Sequence, residues 1–308
     1  MRRARLVWNP VHRRRTAPAV LARLVDLLRE LGIEADPVYT RTGRSIAPQV
    51  AAEAQGYDLF LVWGGDGTVA DVATGLIGTG TPLGILPAGT FNNVAHALGL
   101  PSDPLAAARV LAAGQPRPMD VGFANAQLFL EVAGAGLDAA VMPFGERLKA
   151  HQLGALLPAM ARLARYRTAM VTLDLDYARG LQVRTPLVVL ANGPFYGAGF
   201  TVAPEARWDD GRLTVRVFEG ATVAGLVWYF ANIARHRRPV WTRGSTFRAR
   251  QVRVSADVPL SVHADGRAVG KTPAVFEAQA GALTILVPGS APAAPAGGRR
   301  GPTTEAVR

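Results

Sequence analysis

The chain has 308 residues, about half of them apolar, enough for two domains of ordinary size with cores of their own. It has no cysteine, which excludes a disulfide framework, a thiolate metal site and a thiol nucleophile; its five histidines show no ligand spacing, and no serine lies in G-x-S-x-G. A net charge of +11 favours an anionic partner (a nucleotide, a nucleic acid or an acidic membrane surface), although the compositional bias of a GC-rich genome accounts for it equally well. Residues 1–10 are basic but reach polar residues before an apolar core forms, so they do not read as a signal peptide. The longest uncharged apolar run, 221–234, falls short of the ~20 residues of a membrane span. The expectation is a cytoplasmic protein, at most peripheral at the inner face of a membrane.

In chain order, a strand at 5–8 ends in Asn9-Pro10 and leads to a helix at 18–31, whose Leu21, Leu24, Val25 and Leu28 fall near helical spacing. A strand at 35–40, a helix at 45–55, a strand at 59–63, a helix at 69–77 and a strand at 83–86 follow. This alternation predicts a parallel sheet covered on both faces, with ligand at the carboxyl ends of its strands. Beyond about residue 120 short strand-like runs take over, at 129–132, 169–175, 187–190, 213–218, 252–254, 260–263 and 283–287. Helical stretches at 144–166 and 223–236 interrupt them. The pattern predicts an N-terminal α/β domain over 1–119, a C-terminal antiparallel β-sandwich domain over 120–288, and a disordered tail over 289–308.

Two glycine loops lie at strand ends. Residues 63–76 read WGGDGTVADVATGL, where Gly64, Gly65 and Gly67 permit turn conformations barred to residues with a Cβ. Backbone N–H groups and a helix N-terminus can then face a phosphate. Asp66 adds a negative charge where phosphate alone would want positive ones, so a metal ion or a hydroxyl proton is expected beside it. A bare tight turn is the alternative for GGDG; the strand before it and the helix after it favour the phosphate reading. Residues 83–101, LGILPAGTFNNVAHALGLP, form the second loop, with Gly89-Thr90 and then Asn92 at a helix mouth.

Two look-alikes are set aside. Gly134-Ala135-Gly136 with Ala139 imitates a dinucleotide fingerprint but lacks the acidic residue that should follow. GRAVGKT at 266–272 is one residue short of a P-loop and is followed by Pro273, so a hairpin turn is expected there. Nucleic-acid binding would rest on net charge alone and is not expected. In 222–241, Leu226, Trp228, Tyr229, Phe230 and Ile233 stand beside Arg235, Arg237, Arg238 and Trp241. That suits an interfacial helix on anionic lipid, or equally a buried helix whose basic end complements its own dipole.

Joined by Asp120-Val121-Gly122, FLEVAGAGLDA (129–139), ANGPFYGAGFTVAPEARWDDGRL (191–213) and HADG (263–266), Asn9-Pro10 and the two loops make a recognisable series. In these motifs the chain resembles the diacylglycerol kinase catalytic-domain family, soluble bacterial lipid kinases related to sphingosine and ceramide kinases. The resemblance implies a Rossmann-like nucleotide-binding α/β domain and a β-sandwich domain, with the active site in the cleft between them. It implies ATP with Mg²⁺ as phosphoryl donor and a lipid hydroxyl as acceptor. By matching position, Asn9, Thr40, Gly64, Gly65, Asp66, Gly67, Thr68, Val69, Gly89, Thr90 and Asn92 would hold ATP. A structural Mg²⁺ is implied at the Asp210 carboxylate with the backbone carbonyls of Arg207 and Arg212, hard oxygen donors that suit this ion.

The chain departs from the family pattern at its catalytic end. The family reads Asp-Gly-Glu, its glutamate the proton acceptor; here Asp265-Gly266-Arg267 stands, and an arginine accepts no proton at ordinary pH. It could instead bind phosphate or stabilise developing charge. Asn92-Asn93 replaces Asn-Asp, Ala70-Asp71 replaces Asn-Glu, and His12-Arg13-Arg14-Arg15 replaces a small glycine-bearing loop. Three readings follow: an active lipid kinase with Asp66 or Asp265 as base, a regulator that binds nucleotide or lipid without turnover, or a kinase of a soluble acceptor such as NAD. The oligomeric state is open, a homodimer included.

Overall fold

The computed structural model describes residues 1–10, 17–137, 139, 166, 168–176, 178–195, 201–234 and 244–289. His12 to Arg15, the helix expected at 144–166 apart from Tyr166, the cluster Arg235, Arg237, Arg238 and Trp241, and the tail beyond 289 lie outside these residues.

The unbroken apolar runs of the first third become inner strands. Every position of β3 (Leu59–Gly64) and β4 (Leu83–Pro87) is buried, as a parallel sheet covered on both faces requires. β1 (Arg2–Trp8) pairs in parallel with β3 and with β2 (Ile33–Tyr39), and β3 pairs in parallel with β4. β2 is the outer strand, where Pro37 can be tolerated without interrupting an inner ladder. Helices α1 (Ala17–Glu30), α2 (Ala47–Glu53), α3 (Asp66–Leu76), α4 (Asn93–Ala97) and α5 (Pro104–Ala112) accompany these strands. α1 buries Leu24, Leu27 and Leu28 at helical spacing. α3 starts three residues before its apolar periodicity does. Gly65, in extended conformation, acts as N-cap, and its carbonyl receives the Thr68 and Val69 N–H groups at 2.9 and 3.1 Å.

The rest of the described chain is mostly strand: β5 (Gln115–Ala124), β6 (Gln127–Phe129), β7 (Val132–Gly136), β8 (Ala169–Leu175), β9 (Ala178–Thr185), β10 (Leu187–Ala191) and β11 (Leu213–Val217). Helix α6 (Val223–Ala234) precedes β12 (Ser245–Ala249), β13 (Gln251–Ala256), β14 (Ser261–Ala264), β15 (Arg267–Lys271) and β16 (Ala274–Val287). One antiparallel sheet runs β12-β11-β10-β7-β14-β15. It faces strands of the other sheet across a core that includes Phe129, Leu173, Val188, Val215, Val252 and Phe276. The architecture is thus an N-terminal α/β unit with a parallel sheet and a C-terminal antiparallel one.

The two units share a strand. β16 pairs in parallel with β4 through Ile285 and Leu83, and antiparallel with β5 and β13, so one sheet runs β2-β1-β3-β4-β16-β13-β8-β9. Ala274, Phe276 and Ala278 lie in the sandwich core, whereas Leu283, Ile285 and Leu286 lie in the α/β core. The register shifts between Gln279 and Leu283, with Gly281 at φ +58°, an irregularity of the kind that lets a strand bend between layers.

Four strands carry little sequence signal. β5 begins with exposed residues and holds Pro116 and Pro118, β9 and β15 are largely exposed, and β12 is a short outer strand. The run expected at 129–132 is broken at Leu130-Glu131. Gly134 to Gly136 belong to β7, an inner strand, and hold no nucleotide loop. Residues 267–271 are strand, not turn; the hairpin reverses at Asp265-Gly266, with φ of +42° and +82°, the signature of a type I′ turn. In α6, Leu226 and Tyr229 are core residues, Tyr229 lying edge-on to Phe218, so they are not lipid-facing; Trp228 is 62% exposed. Among the described residues no helix is long and apolar enough to cross a membrane.

Candidate active site

The carboxyl ends of the four parallel strands meet at one place. Asn9 follows β1, Thr40 follows β2, Gly65 follows β3, and Gly89 lies two residues beyond β4. Together with Asp66, Gly67, Thr68 and Thr90 they line a cleft of about 450 Å³, which Arg267 enters from the C-terminal unit. Gly64 and Val69 are buried beside it rather than lining it. Asn92 stands next to the cleft as a brace.

The two glycine loops touch through their backbones. A Cβ on Gly65 would lie 2.9 Å from the Gly89 Cα, and one on Gly89 would lie 2.5 Å from the Gly65 Cα. No side chain fits at either position. Asn92, in the left-handed region at φ +50°, accepts the Gly89 N–H at 2.7 Å and returns a bond to the Gly89 carbonyl at 2.9 Å. The Gly89 N–H is therefore taken within its own turn, and this glycine serves the site by close approach. Asn9 fastens the opposite wall, its side-chain amide donating to the Thr68 hydroxyl at 3.0 Å.

Asp66 sits at the start of α3 and accepts the Asn93 N–H at 2.8 Å. Burial raises its carboxyl pKa above the ordinary aspartate value, and backbone N–H groups around Asn93 oppose the shift. Arg41, Arg44, Asp71 and Phe91 also line the cleft, though no motif singled out the arginines. Asp71 accepts the Ser45 hydroxyl at 2.5 Å and the Ile46 N–H at 2.8 Å, so it holds the wall segment after β2.

The two residues at the Asp-Gly-Arg turn do different work. Arg267 donates to the Gly67 carbonyl at 2.7 Å and joins the C-terminal hairpin to the glycine loop of α3. Asp265 accepts the N–H groups of Leu130, Glu131 and Val132 at 2.6, 3.1 and 3.0 Å, and it does not line the cleft. Burial raises its carboxyl pKa as well, against those three bonds. Among the described residues, Asp66 and Asp71 are the acids lining the cleft, and Asp71 holds its wall. Arg41, Arg44 and Arg267 all line that cleft, a composition suited to a polyanion such as a triphosphate.

At Asp210, where the resemblance implies Mg²⁺, one buried carboxylate oxygen, Oδ2, makes no hydrogen bond and faces the Arg248 guanidinium. The other oxygen, Oδ1, accepts the Arg212 N–H at 2.9 Å. Arg207 is bound through its side chain to Asp209 by two bonds of 2.8 Å, which lowers the Asp209 pKa. Among the described residues no three His, Cys, Asp or Glu side chains gather as a metal site. Asp120 organises this loop instead, accepting the Gly211 N–H at 2.6 Å and the Gly281 N–H at 2.8 Å.

The fold recurs in known proteins. The diacylglycerol kinase catalytic domain matches residues 3–124, and the YegS C-terminal NAD kinase beta sandwich-like domain matches residues 131–287. A diacylglycerol kinase of Bacillus subtilis (strain 168) is 30% identical over 287 residues, covering 90% of this chain and 93% of that one. One from Mycobacterium tuberculosis (strain ATCC 25618 / H37Rv) is 32% identical over 246 residues, 77% of this chain and 79% of that one. Among solved structures, a diacylglycerol kinase from Bacillus anthracis str. Sterne shares the fold with a TM-score of 0.74 at 21% identity, covering 94% of this chain and 98% of that one. Yeast NADH kinase complexed with NADH shares it more distantly, with a TM-score of 0.52 at 10% identity over 93% of this chain and 83% of that one.

Proposed function

We propose that this chain, which belongs to the diacylglycerol kinase catalytic-domain family, transfers the γ-phosphate of ATP to a hydroxyl of a lipid such as diacylglycerol or a sphingoid-type lipid. ATP enters as its magnesium complex, a substrate. In this reading the nucleotide lies on the 1–119 side of the cleft and the acceptor on the 120–288 side. The observation that carries the reading is the cleft itself, where two bare glycine loops, one buried-edge carboxylate and three arginines converge.

Phosphoryl transfer through a loose transition state asks the protein for placement and charge more than for covalent chemistry. Arg267 and the arginines after β2 supply positive charge to the phosphates. Asp66 takes the hydroxyl proton, and its raised pKa makes it a better acceptor than an exposed aspartate.

Purified protein incubated with γ-labelled ATP, Mg²⁺ and a total lipid extract should yield a labelled lipid. Asp66→Asn should lower the rate by ~10²–10⁴-fold, the range for loss of a general base. Label appearing in NAD rather than in lipid would replace the acceptor in this reading. Saturable ATP binding with no labelled product would make the chain a nucleotide-binding regulator.

A further inference from the structure

We infer that Tyr39 is a positioning residue that holds the Arg41 guanidinium at the cleft, ready for the phosphates of a polyphosphate ligand. The inference rests on the kinase reading of that cleft and adds a residue that neither lines it nor belongs to a motif.

Three observations lead to it. First, the last row of the parallel sheet is aromatic. Trp8 is in register with Tyr39 on one side and with Trp63 on the other, so the three rings leave one face of the sheet side by side. Trp8 and Tyr39 meet edge to face with centroids 6.4 Å apart, and Trp8 and Trp63 are stacked at 6.0 Å. Both spacings lie in the range in which aromatic pairs attract. Trp63 is buried and Trp8 half-buried against the α/β core, whereas Tyr39 is 51% exposed. The row is thus rooted in the core and ends outward in Tyr39.

Second, the same row carries the wall of the cleft. The Trp63 carbonyl accepts the Asn9 N–H at 3.1 Å, and the Trp8 carbonyl accepts the Thr40 N–H at 2.9 Å. Asn9 and Thr40 line the cleft. Third, the two arginines after β2 stand at the ends of one turn. The Arg44 N–H donates to the Arg41 carbonyl at 3.1 Å, and Gly43 has φ +76°, which a glycine adopts without strain. Thr40 fastens this turn on one side, and Asp71 fastens it on the other through Ser45 and Ile46.

The backbone of the turn is therefore set, but Arg41 is exposed and its long side chain has many rotamers to lose. The Tyr39 ring narrows that choice. The guanidinium carbon of Arg41 lies 5.7 Å from the ring centroid, within the ~6 Å of a cation–π contact. A carboxylate in place of the ring would pair with the guanidinium and cancel its charge. An aromatic face orients the group and leaves its N–H donors to a phosphate.

The test measures binding of MgATP, and separately of inorganic tripolyphosphate with Mg²⁺, to wild type and to Tyr39→Leu, Tyr39→Phe, Arg41→Met and the double variant Tyr39→Leu with Arg41→Met. Tyr39→Leu should weaken both ligands by ~2–5-fold, the worth of an exposed cation–π contact. Tyr39→Phe keeps the ring face and should bind as wild type does. In the Arg41→Met background, Tyr39→Leu should cost nothing further, because its effect passes through Arg41.

Unchanged affinity in Tyr39→Leu, or Tyr39→Phe as weak as Tyr39→Leu, would overturn the inference. So would a Tyr39→Leu loss that persists without Arg41, since that is the behaviour of a merely structural residue. Loss of MgATP binding alone, with tripolyphosphate unaffected, would place Arg41 against the base and overturn the phosphate role. Wild type that binds tripolyphosphate but not MgATP would count against the kinase reading alone, and the tripolyphosphate series would still decide Tyr39. Wild type that binds neither would overturn both.

Discussion

An arginine at position 267 offers no proton acceptor there and brings positive charge instead. A guanidinium stays protonated at any ordinary pH, and this one is anchored by its bond to the Gly67 carbonyl, in the glycine loop at the start of α3. Asp265, the other candidate base, is occupied by three backbone N–H groups. Asp66 is then the candidate base that remains in the cleft. Arg267→Glu should weaken MgATP binding by ~10–100-fold, the worth of a charge-assisted bond of about 1.5–3 kcal/mol, and it should slow turnover. Equilibrium titration and initial rates measure both. A gain in turnover would show instead that the position wants an acid.

At the scale of elements, the site depends on two turns meeting without side chains between them. The Gly65 and Gly89 backbones are so close that a methyl group on either must push main chain rather than a flexible side chain. Gly65→Ala should therefore separate the loops after β3 and β4. We expect a cost of ~1–3 kcal/mol, as for overpacking elsewhere, and a larger loss in nucleotide affinity than in melting temperature. Thermal melts paired with MgATP titration check this; an affinity equal to wild type would mean that the contact plays no part in binding. Both loops were legible in the sequence, because glycine clusters between an apolar strand and a helix have few other uses. The wall after β2 was not legible. Arg41 and Arg44 belong to no motif, and they reach the cleft because Asp71, on α3, binds Ser45 and Ile46.

For the whole molecule, the decisive element is β16. Its first half belongs to the sandwich core and its second half to the α/β core, where Leu283, Ile285 and Leu286 pack with residues that precede them by some two hundred positions. A fragment ending at Ala124 would leave β4 paired with β3 alone and the α/β core without those three side chains. Such a fragment should fail to unfold cooperatively, and adding a peptide spanning 274–289 should restore part of its structure. Circular dichroism melts of the fragment, with and without the peptide, measure this. A cooperative melt of the fragment alone would show that the α/β unit is self-sufficient.

By itself the sequence determined the alternation of strands and helices in the first third, the sheet it implies, and the two glycine loops at strand ends. These are local properties: periodicity over a few residues, and backbone freedom at single glycines. It also marked Asp66 and the substitution at position 267. Only the tertiary structure decided that Arg267 reaches Gly67, that Asp265 is an anchor, and that Arg248 faces Asp210. The reason is distance along the chain. Those contacts join residues close in space but between 38 and 200 positions apart, where no local pattern of residues can signal them.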